Sequence, residues 1–131
     1  MSQSNAILAS LSESDGAALR PHLKATHLLQ KTVLYEVGDA IKTVYFPINA
    51  VVSLVVSLAT GEMTESAMVG KDGAVGMASA LDGNVAMCRA VVQLGGDAMM
   101  CDPAAFRGVA LQSEKMLSKV MNAANRPTPG T

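Results

Sequence analysis

Turn signals at short intervals are the feature that most limits what this chain of 131 residues can fold into. Gly38-Asp39, Pro47 with Asn49, and Gly61 separate segments rich in β-branched and aromatic residues, and Gly95-Gly96-Asp97 separates "CRAVVQL" from "AMMC". Strands of about 4–8 residues fit between such turns, whereas typical helices do not. The spacing therefore predicts many short strands in a sandwich or a barrel.

Helical patterns flank this strand-rich region on both sides. Asn5 and Ser12 stand where they can N-cap two short helices, the second of which should end or kink at Pro21. Asp102 followed by Pro103 predicts the start of a third helix.

These patterns divide the chain into four segments. We expect a helical segment over residues 1–23, the strand-rich body over 24–101, further helices over 102–125 and a disordered tail over 126–131. No internal repeat or interdomain linker interrupts this order, so we predict a single domain.

Composition excludes several classes of function. A formal net charge of −1 gives no electrostatic footprint for nucleic acid. No apolar run reaches the roughly 18–20 residues that a membrane span needs, and the N-terminus lacks the basic start of a secretory signal. We therefore expect a cytoplasmic protein without a membrane partner. Cys88 and Cys101 have no metal-ligand spacing, which favours reduced thiols and leaves a disulfide open.

Chemistry-bearing residues do not form a recognisable catalytic set. The sequence has no paired carboxylates, nucleophile–base pair or metal triad, so we expect no enzymatic activity and no cofactor. His22 and His27 lack a third ligand and are expected at the surface or the edge of the core. The nine methionines are expected to fill the core of a chain that is only 3% aromatic, with an apolar haem or lipid pocket as the alternative.

Four segments, in their order along the chain, resemble the sensor domain of Crp/Fnr-type transcription regulators. They are "LYEVGDAIKTVYFPINAVVSLV", "TGE", "AMVGKDGAVG" and "CRAVVQ". The resemblance implies a mainly β fold with flanking helices: a cyclic-nucleotide-binding-domain-like β-roll (double-stranded β-helix or jelly roll) of about eight strands, with N-terminal and C-terminal helices. It also implies that residues 70–90 correspond to the family's phosphate-binding cassette.

In nucleotide-binding members that cassette has a Gly-Glu pair at the start of a short helix. Backbone amides hold the phosphate and the Glu accepts a ribose hydroxyl. Gly76 matches the glycine and Ala78 lies in the following helix, but Met77 stands where the family has Glu.

The other end of the cassette also departs from the family pattern. With Ala90 on the family's Ala, Cys88 stands where Arg is expected and Arg89 where Ser or Thr is expected; a shift of one residue would place Arg89 on the arginine position. Two roles for Arg89 remain open. It forms a surface ion pair, with Asp72, Asp82 or Glu65 as the acid, or it meets an anion at the Gly76 helix end.

Ser113 can cap a last helix whose apolar stripe is a dimer-interface candidate. The stripe consists of Met116, Leu117, Val120 and Met121. The resemblance implies that the family's dimer helix would start here and that a helix-turn-helix would follow it.

These features together predict a small-ligand sensor domain of a Crp/Fnr-type regulator with a degenerate cyclic-nucleotide site. It would bind a small anion or no ligand, form a homodimer, and contact DNA only if a helix-turn-helix follows in a longer protein. The alternative is a stand-alone dimerisation or protein-interaction module of the same fold.

Overall fold

A computed structural model describes residues 5–77, 85–86, 88–115 and 118 of the chain. The helices that lie wholly in this part are α1 (Ala6–Ser10), α2 (Glu13–Leu19) and α3 (Pro103–Leu111), with a 3-10 turn at Arg20–His22. The strands are β1 (Leu23–Leu28), β2 (Val33–Tyr35), β3 (Val44–Pro47), β4 (Val51–Ser57), β5 (Met63–Val69), β6 (Arg89–Leu94) and β7 (Gly96–Cys101).

The strands form two antiparallel sheets. One sheet has the order β1-β7-β3 and the other has the order β2-β6-β4-β5. Isolated bridges join Tyr45 to Val75 and Ala40 to Val85. Mainly β architecture with flanking helices, as the sequence predicts, is confirmed.

The helix starts are capped where the sequence places the caps. The Asn5 side chain accepts hydrogen bonds at the start of α1, and Ser12 Oγ accepts from the backbone N–H of Asp15 at 3.2 Å in α2. The Asp102 carboxylate accepts from the N–H of Ala105 at 3.1 Å at the start of α3. Each bond satisfies a donor that the helix itself cannot pair.

Glycines make the predicted turns possible. Gly38 has φ +88° and Gly61 has φ +91°, a backbone region that residues with a Cβ rarely adopt. Around Gly61 the N–H of Leu58 donates to the carbonyl of Glu62 at 2.7 Å, which closes the hairpin between β4 and β5. The second helix ends before Pro21, as expected.

The chain passes from one sheet to the other at Gly95. The sequence predicts a break over Gly95-Gly96-Asp97, but β7 begins at Gly96 and only Gly95 lies between the strands. At Gly96 an added Cβ would lie 2.8 Å from the backbone nitrogen of Ala50, closer than real Cβ atoms come. Asn49 Oδ1 accepts from the N–H of Asp97 at this corner. Glycine is needed here for close backbone approach rather than for a turn.

Two buried clusters form the core. The first packs the helices against the β1-β7-β3 sheet, and within it the rings of Phe46 and Phe106 lie 5.9 Å apart. It contains Ile7, Leu19, Val44, Phe46, Met77, Cys101, Phe106 and Ala110. The second lies between the two sheets. It contains Leu28, Tyr35, Ile41, Ala50, Val52, Val75, Ala86, Ala90, Val92 and Ala98.

Candidate functional site

The glycine-rich segment, residues 70–76 with Gly70, Gly73 and Gly76, leaves β5 and crosses to β3 at Val75, just before the glycine at which the family's cassette helix is expected to begin. Val75 and Tyr45 exchange two backbone hydrogen bonds, at 2.8 and 3.0 Å, so the residue before Gly76 is fixed to the sheet. Gly76 then adopts φ +88°. The backbone therefore changes direction at the position where the family's helix-end glycine is expected.

The surroundings of Gly76 are filled by the chain itself. An added Cβ would lie 3.3 Å from Ile41 Cγ2 and 3.4 Å from both the Thr43 carbonyl oxygen and the Tyr35 hydroxyl. The described groups that would contact a side chain at Gly76 thus include both side-chain and backbone atoms of the protein. The sequence alone does not single out Tyr35, because a tyrosine on a short strand is ordinary core material.

Met77 is a core residue. Its side chain is 4% exposed and packs in the cluster that includes Phe46 and Phe106. A residue that reads a ribose hydroxyl must present a polar acceptor to the ligand, whereas this side chain is committed to apolar contacts between the sheet and α3.

Cys88 and Ala90 lie next to the other end of the segment. Ala90 is fully buried and pairs with Tyr35 and Leu54 on the two neighbouring strands. Cys88 is half-buried, and burial raises the pKa of its thiol. Burial also raises the pKa of the Tyr35 hydroxyl, with Cys88 and then Tyr45 adding to the effect. The hydroxyl beside Gly76 therefore stays protonated and uncharged near neutral pH.

Arg89 makes its ion pair on the face of β6 opposite the buried Ala90 and Val92. Along β6 it alternates with Ala90 and Val92, both of which are buried. Its Nε lies 3.1 Å from Glu36 Oε1, and the two side chains are 39% and 55% exposed. This distance is that of an ion pair, but the Nε–H does not point at an acceptor within the described part of the chain. We regard the contact as a partly exposed ion pair of modest energy.

The acid that pairs with Arg89 differs from those the sequence indicated. Asp72, Asp82 and Glu65 were the expected partners, and the structure brings Glu36 to it instead. Glu65 accepts a hydrogen bond from Ser53 Oγ at 2.6 Å. Asp82 lies outside the described residues. Glu36 directly follows β2, and the pairing of β2 with β6 places it beside Arg89.

Several predicted site residues lie outside the described part of the chain. They are Ala78 in the cassette and the stripe Met116, Leu117, Val120 and Met121. Ser113, the predicted cap of the last helix, is described, and its Oγ donates to the Asp15 carboxylate at 2.8 Å.

A cavity of about 420 Å3 opens beside the β2–β3 connection. Its described lining residues are Leu34, Tyr35, Asp39, Ala40, Lys42, Thr43 and Tyr45. Gly76, Cys88 and Arg89 are not among them. The cavity is thus lined by a segment that contributes to the family resemblance and to the turn at Gly38-Asp39 but contains no sequence candidate for ligand binding.

The remaining sequence candidates have simple positions. His22 and His27 are both exposed, and His27 Nδ1 lies 3.0 Å from Asp97 Oδ1. Both cysteines are free thiols. The expectation that the methionines fill the core is wrong for Met63 and Met68, which are 50% and 44% exposed. Within the described residues, no three His, Cys, Asp or Glu side chains form a metal site and no helix could span a membrane.

No protein-family model and no curated protein sequence matches this chain. Solved structures do match it. The regulatory subunit of a cAMP-independent protein kinase A from Trypanosoma cruzi, bound to guanosine, superposes with a TM-score of 0.80 at 14% identity, over 94% of this chain and 43% of that one. The regulatory domain of Toxoplasma gondii protein kinase A with cAMP superposes at 0.70 and 16% identity, over 89% and 52%.

A bacterial structure matches over most of both chains. The N-terminal domain of a transcriptional regulator from Streptomyces coelicolor A3(2) has a TM-score of 0.68 at 17% identity, over 90% of this chain and 82% of that one. This chain spans about half or less of the two kinase regulatory chains. These structural similarities establish the fold: the chain has the cyclic-nucleotide-binding β-roll.

Proposed function

We propose that this chain is a regulatory small-ligand sensor domain of a Crp/Fnr-type transcription regulator whose cyclic-nucleotide site is degenerate. The fold supports a regulatory domain, and a match over most of both chains is to the N-terminal domain of a transcriptional regulator.

The burial of Met77 carries the proposal that the site is degenerate. Gly76 keeps the left-handed turn at the start of the cassette, but the next side chain is 4% exposed and packs with the core. On the family pattern this is the position of the ribose acceptor. Loss of that acceptor leaves the hydroxyl of a bound ribose without its partner.

The charge at the phosphate position is also missing. Cys88 stands where the family has Arg, and the neighbouring Arg89 pairs with Glu36 instead. A charge-assisted bond to phosphate is among the strongest polar contacts a protein offers, at about 1.5–3 kcal/mol. Loss of both the ribose acceptor and the phosphate-binding charge removes a large part of the roughly 8 kcal/mol of binding free energy that a micromolar ligand requires. We expect that the domain does not bind cAMP or cGMP tightly.

Isothermal titration calorimetry tests this proposal. Titration with cAMP and cGMP is expected to give no saturable heat below about 100 µM ligand. Guanosine belongs in the same series, because a neighbour of the same fold was solved with it. A low-micromolar dissociation constant for either cyclic nucleotide would overturn the degenerate-site proposal, while the sensor role would stand.

Homodimerisation through the last helix is a second part of the proposal. The apolar spacing of Met116, Leu117, Val120 and Met121 supports it, and the hydrogen bond from Ser113 to Asp15 ties the segment just before that helix to α2. Light scattering at micromolar concentration is expected to report a dimer that Leu117→Asp dissociates. A monomeric wild-type chain would contradict this part, and DNA binding is expected only from a protein that carries a helix-turn-helix as well.

A further inference from the structure

The cavity at the β2–β3 connection has one described side chain of each charge. Lys42 and Asp39 both line it, and both residues are exposed. Neither forms an ion pair with a charged side chain of the described part of the chain. The Asp39 carboxylate uses one oxygen, Oδ2, to accept from the N–H of Glu36 at 2.8 Å, which leaves its other oxygen for a ligand.

This charge pattern disfavours ligands of a single charge. A phosphate or another dianion would be attracted by Lys42 but repelled by Asp39, and a simple cation would meet the reverse problem. A molecule that carries both charges gains from both groups. The described lining therefore fits a small zwitterion better than an anion.

The rest of the described lining combines Leu34 and Ala40 with two tyrosines and Thr43. Leu34 and Tyr45 are half-buried and Tyr35 is 9% exposed, so these side chains hold fixed positions beside the charges. Thr43 adds a hydroxyl. The volume of about 420 Å3 lies within the usual range of small-molecule sites.

We propose that this cavity binds a free α-amino acid with an apolar side chain. Lys42 would receive the carboxylate, Asp39 the ammonium, and Leu34 with the two tyrosines the side chain. The regulatory meaning of this site rests on the proposed sensor function, whereas the binding itself does not.

The cavity is in contact with the cassette segment through two of its lining residues. Tyr45 exchanges backbone hydrogen bonds with Val75, and the Tyr35 hydroxyl approaches Gly76. Occupancy that shifts either tyrosine must therefore be accommodated at Val75 and Gly76. A ligand in this cavity can therefore act, through the two tyrosines, on the segment that corresponds to the phosphate-binding cassette of nucleotide-binding members of the fold.

A matched ligand series tests the proposal on the intact chain. L-phenylalanine, 3-phenylpropionate and phenethylamine share one ring and chain length, but only the first carries both charges. Calorimetry is expected to show saturable binding of L-phenylalanine or L-leucine, with the two single-charge analogues at least about tenfold weaker. No saturable binding of either amino acid up to about 10 mM, or equal binding of 3-phenylpropionate, would overturn it.

Charge-removing variants place the ligand. Asp39→Asn keeps an oxygen that can accept from Glu36, and Lys42→Met keeps a chain of similar length; each is expected to weaken L-phenylalanine at least about tenfold. Lys24→Met, at an exposed position of β1, is the matched control and is expected to bind as the wild type does. Unchanged binding by both cavity variants would contradict the site. A cAMP titration of the same samples tests the degenerate-site proposal separately.

Discussion

Asn5 Nδ2 lies 2.7 Å from the carbonyl oxygen of Gly73, so the residue that caps α1 also holds the glycine-rich segment. The same nitrogen donates to the carbonyl of Pro47 at 2.8 Å, and the side-chain oxygen accepts from the N–H groups of Ile7 and Leu8. This residue is fully buried, and these four bonds join the start of α1 to the helix itself, to β3 and to the glycine-rich segment. The N-terminal helix is thereby part of the domain rather than an appendage.

Asn5→Ser separates the two roles of this side chain. Serine can still cap α1, but it is too short to donate to both Pro47 and Gly73, and it leaves their buried carbonyls without partners. We expect the free energy of unfolding, from urea denaturation, to fall by about 2–4 kcal/mol. Ser12→Ala removes a cap alone and should cost about 1 kcal/mol. A loss near zero for Asn5→Ser would show that Asn5 acts only as a cap, because serine keeps that role.

Gly96→Ala should destabilise the corner between the sheets. The added methyl would meet the backbone nitrogen of Ala50 at 2.8 Å, and backbone cannot move aside as a flexible side chain can. We expect a loss of about 1–3 kcal/mol in the same urea assay. The matched control is Gly16→Ala in α2, where no other group lies within 4 Å of the added Cβ. The higher helix propensity of alanine should raise the free energy of unfolding of this variant by up to about 1 kcal/mol. A neutral Gly96→Ala would contradict the close approach.

Met77→Glu would restore the family's acidic residue by sequence, yet we expect it to damage the fold. A carboxylate at a position 4% exposed among Phe46 and Phe106 must lose its water or force the cluster open. The expected cost is about 3 kcal/mol or more, with no gain of cAMP binding. Met77→Leu should cost less than about 1.5 kcal/mol. A stable Met77→Glu variant that binds cAMP would mean that Met77 faces the ligand site.

Alkaline pH should weaken the fold through Cys101. Burial, with a contribution from Asp102, raises the pKa of this thiol from its ordinary value of 9.0 to about 11. The unfolded chain then loses the thiol proton at lower pH than the folded chain, so this part of the stability is complete below pH 9 and is lost as pH rises towards 11.

Urea denaturation under reducing conditions across this range checks the effect. The unfolding free energy of Cys101→Ala should fall less steeply than that of the wild type, because the variant lacks this thiol. Tyr35, whose pKa is also raised, titrates in both proteins and leaves a common slope. Identical slopes for the two proteins would contradict the assignment to Cys101.

Local chemistry was readable from the sequence. Asn5, Ser12 and Asp102 cap helices because a short polar side chain before an apolar stretch satisfies free N–H groups, whatever the tertiary structure. The hairpin at Gly61 and the turn at Gly38 were predictable in the same way, because glycine readily adopts the positive φ that both positions have. Such features depend on residues a few positions apart, and the succession of short strands along the chain, though not their order in the two sheets, was predicted from them.

Long-range partners were not readable. Glu36 meets Arg89 only because β2 pairs with β6, and nothing in a single sequence ranks Glu36 above Asp72 or Glu65 as the acid. Gly96 looked like a turn residue because glycine serves both turns and close approach, and only the contact with Ala50 distinguishes them. The cavity was missed for another reason: its described lining lies within residues 34–45, but which of these side chains share one opening depends on how the β2–β3 connection folds.

We propose that the segment around Gly76 lacks the polar residues with which a nucleotide cassette contacts ribose and phosphate. Backbone amide NMR during titration with cAMP tests it at the residues concerned. At about 1 mM cAMP we expect the amide signals of Gly76 and Cys88 to stay in place. Saturable shifts of these two signals below about 100 µM cAMP would contradict the account.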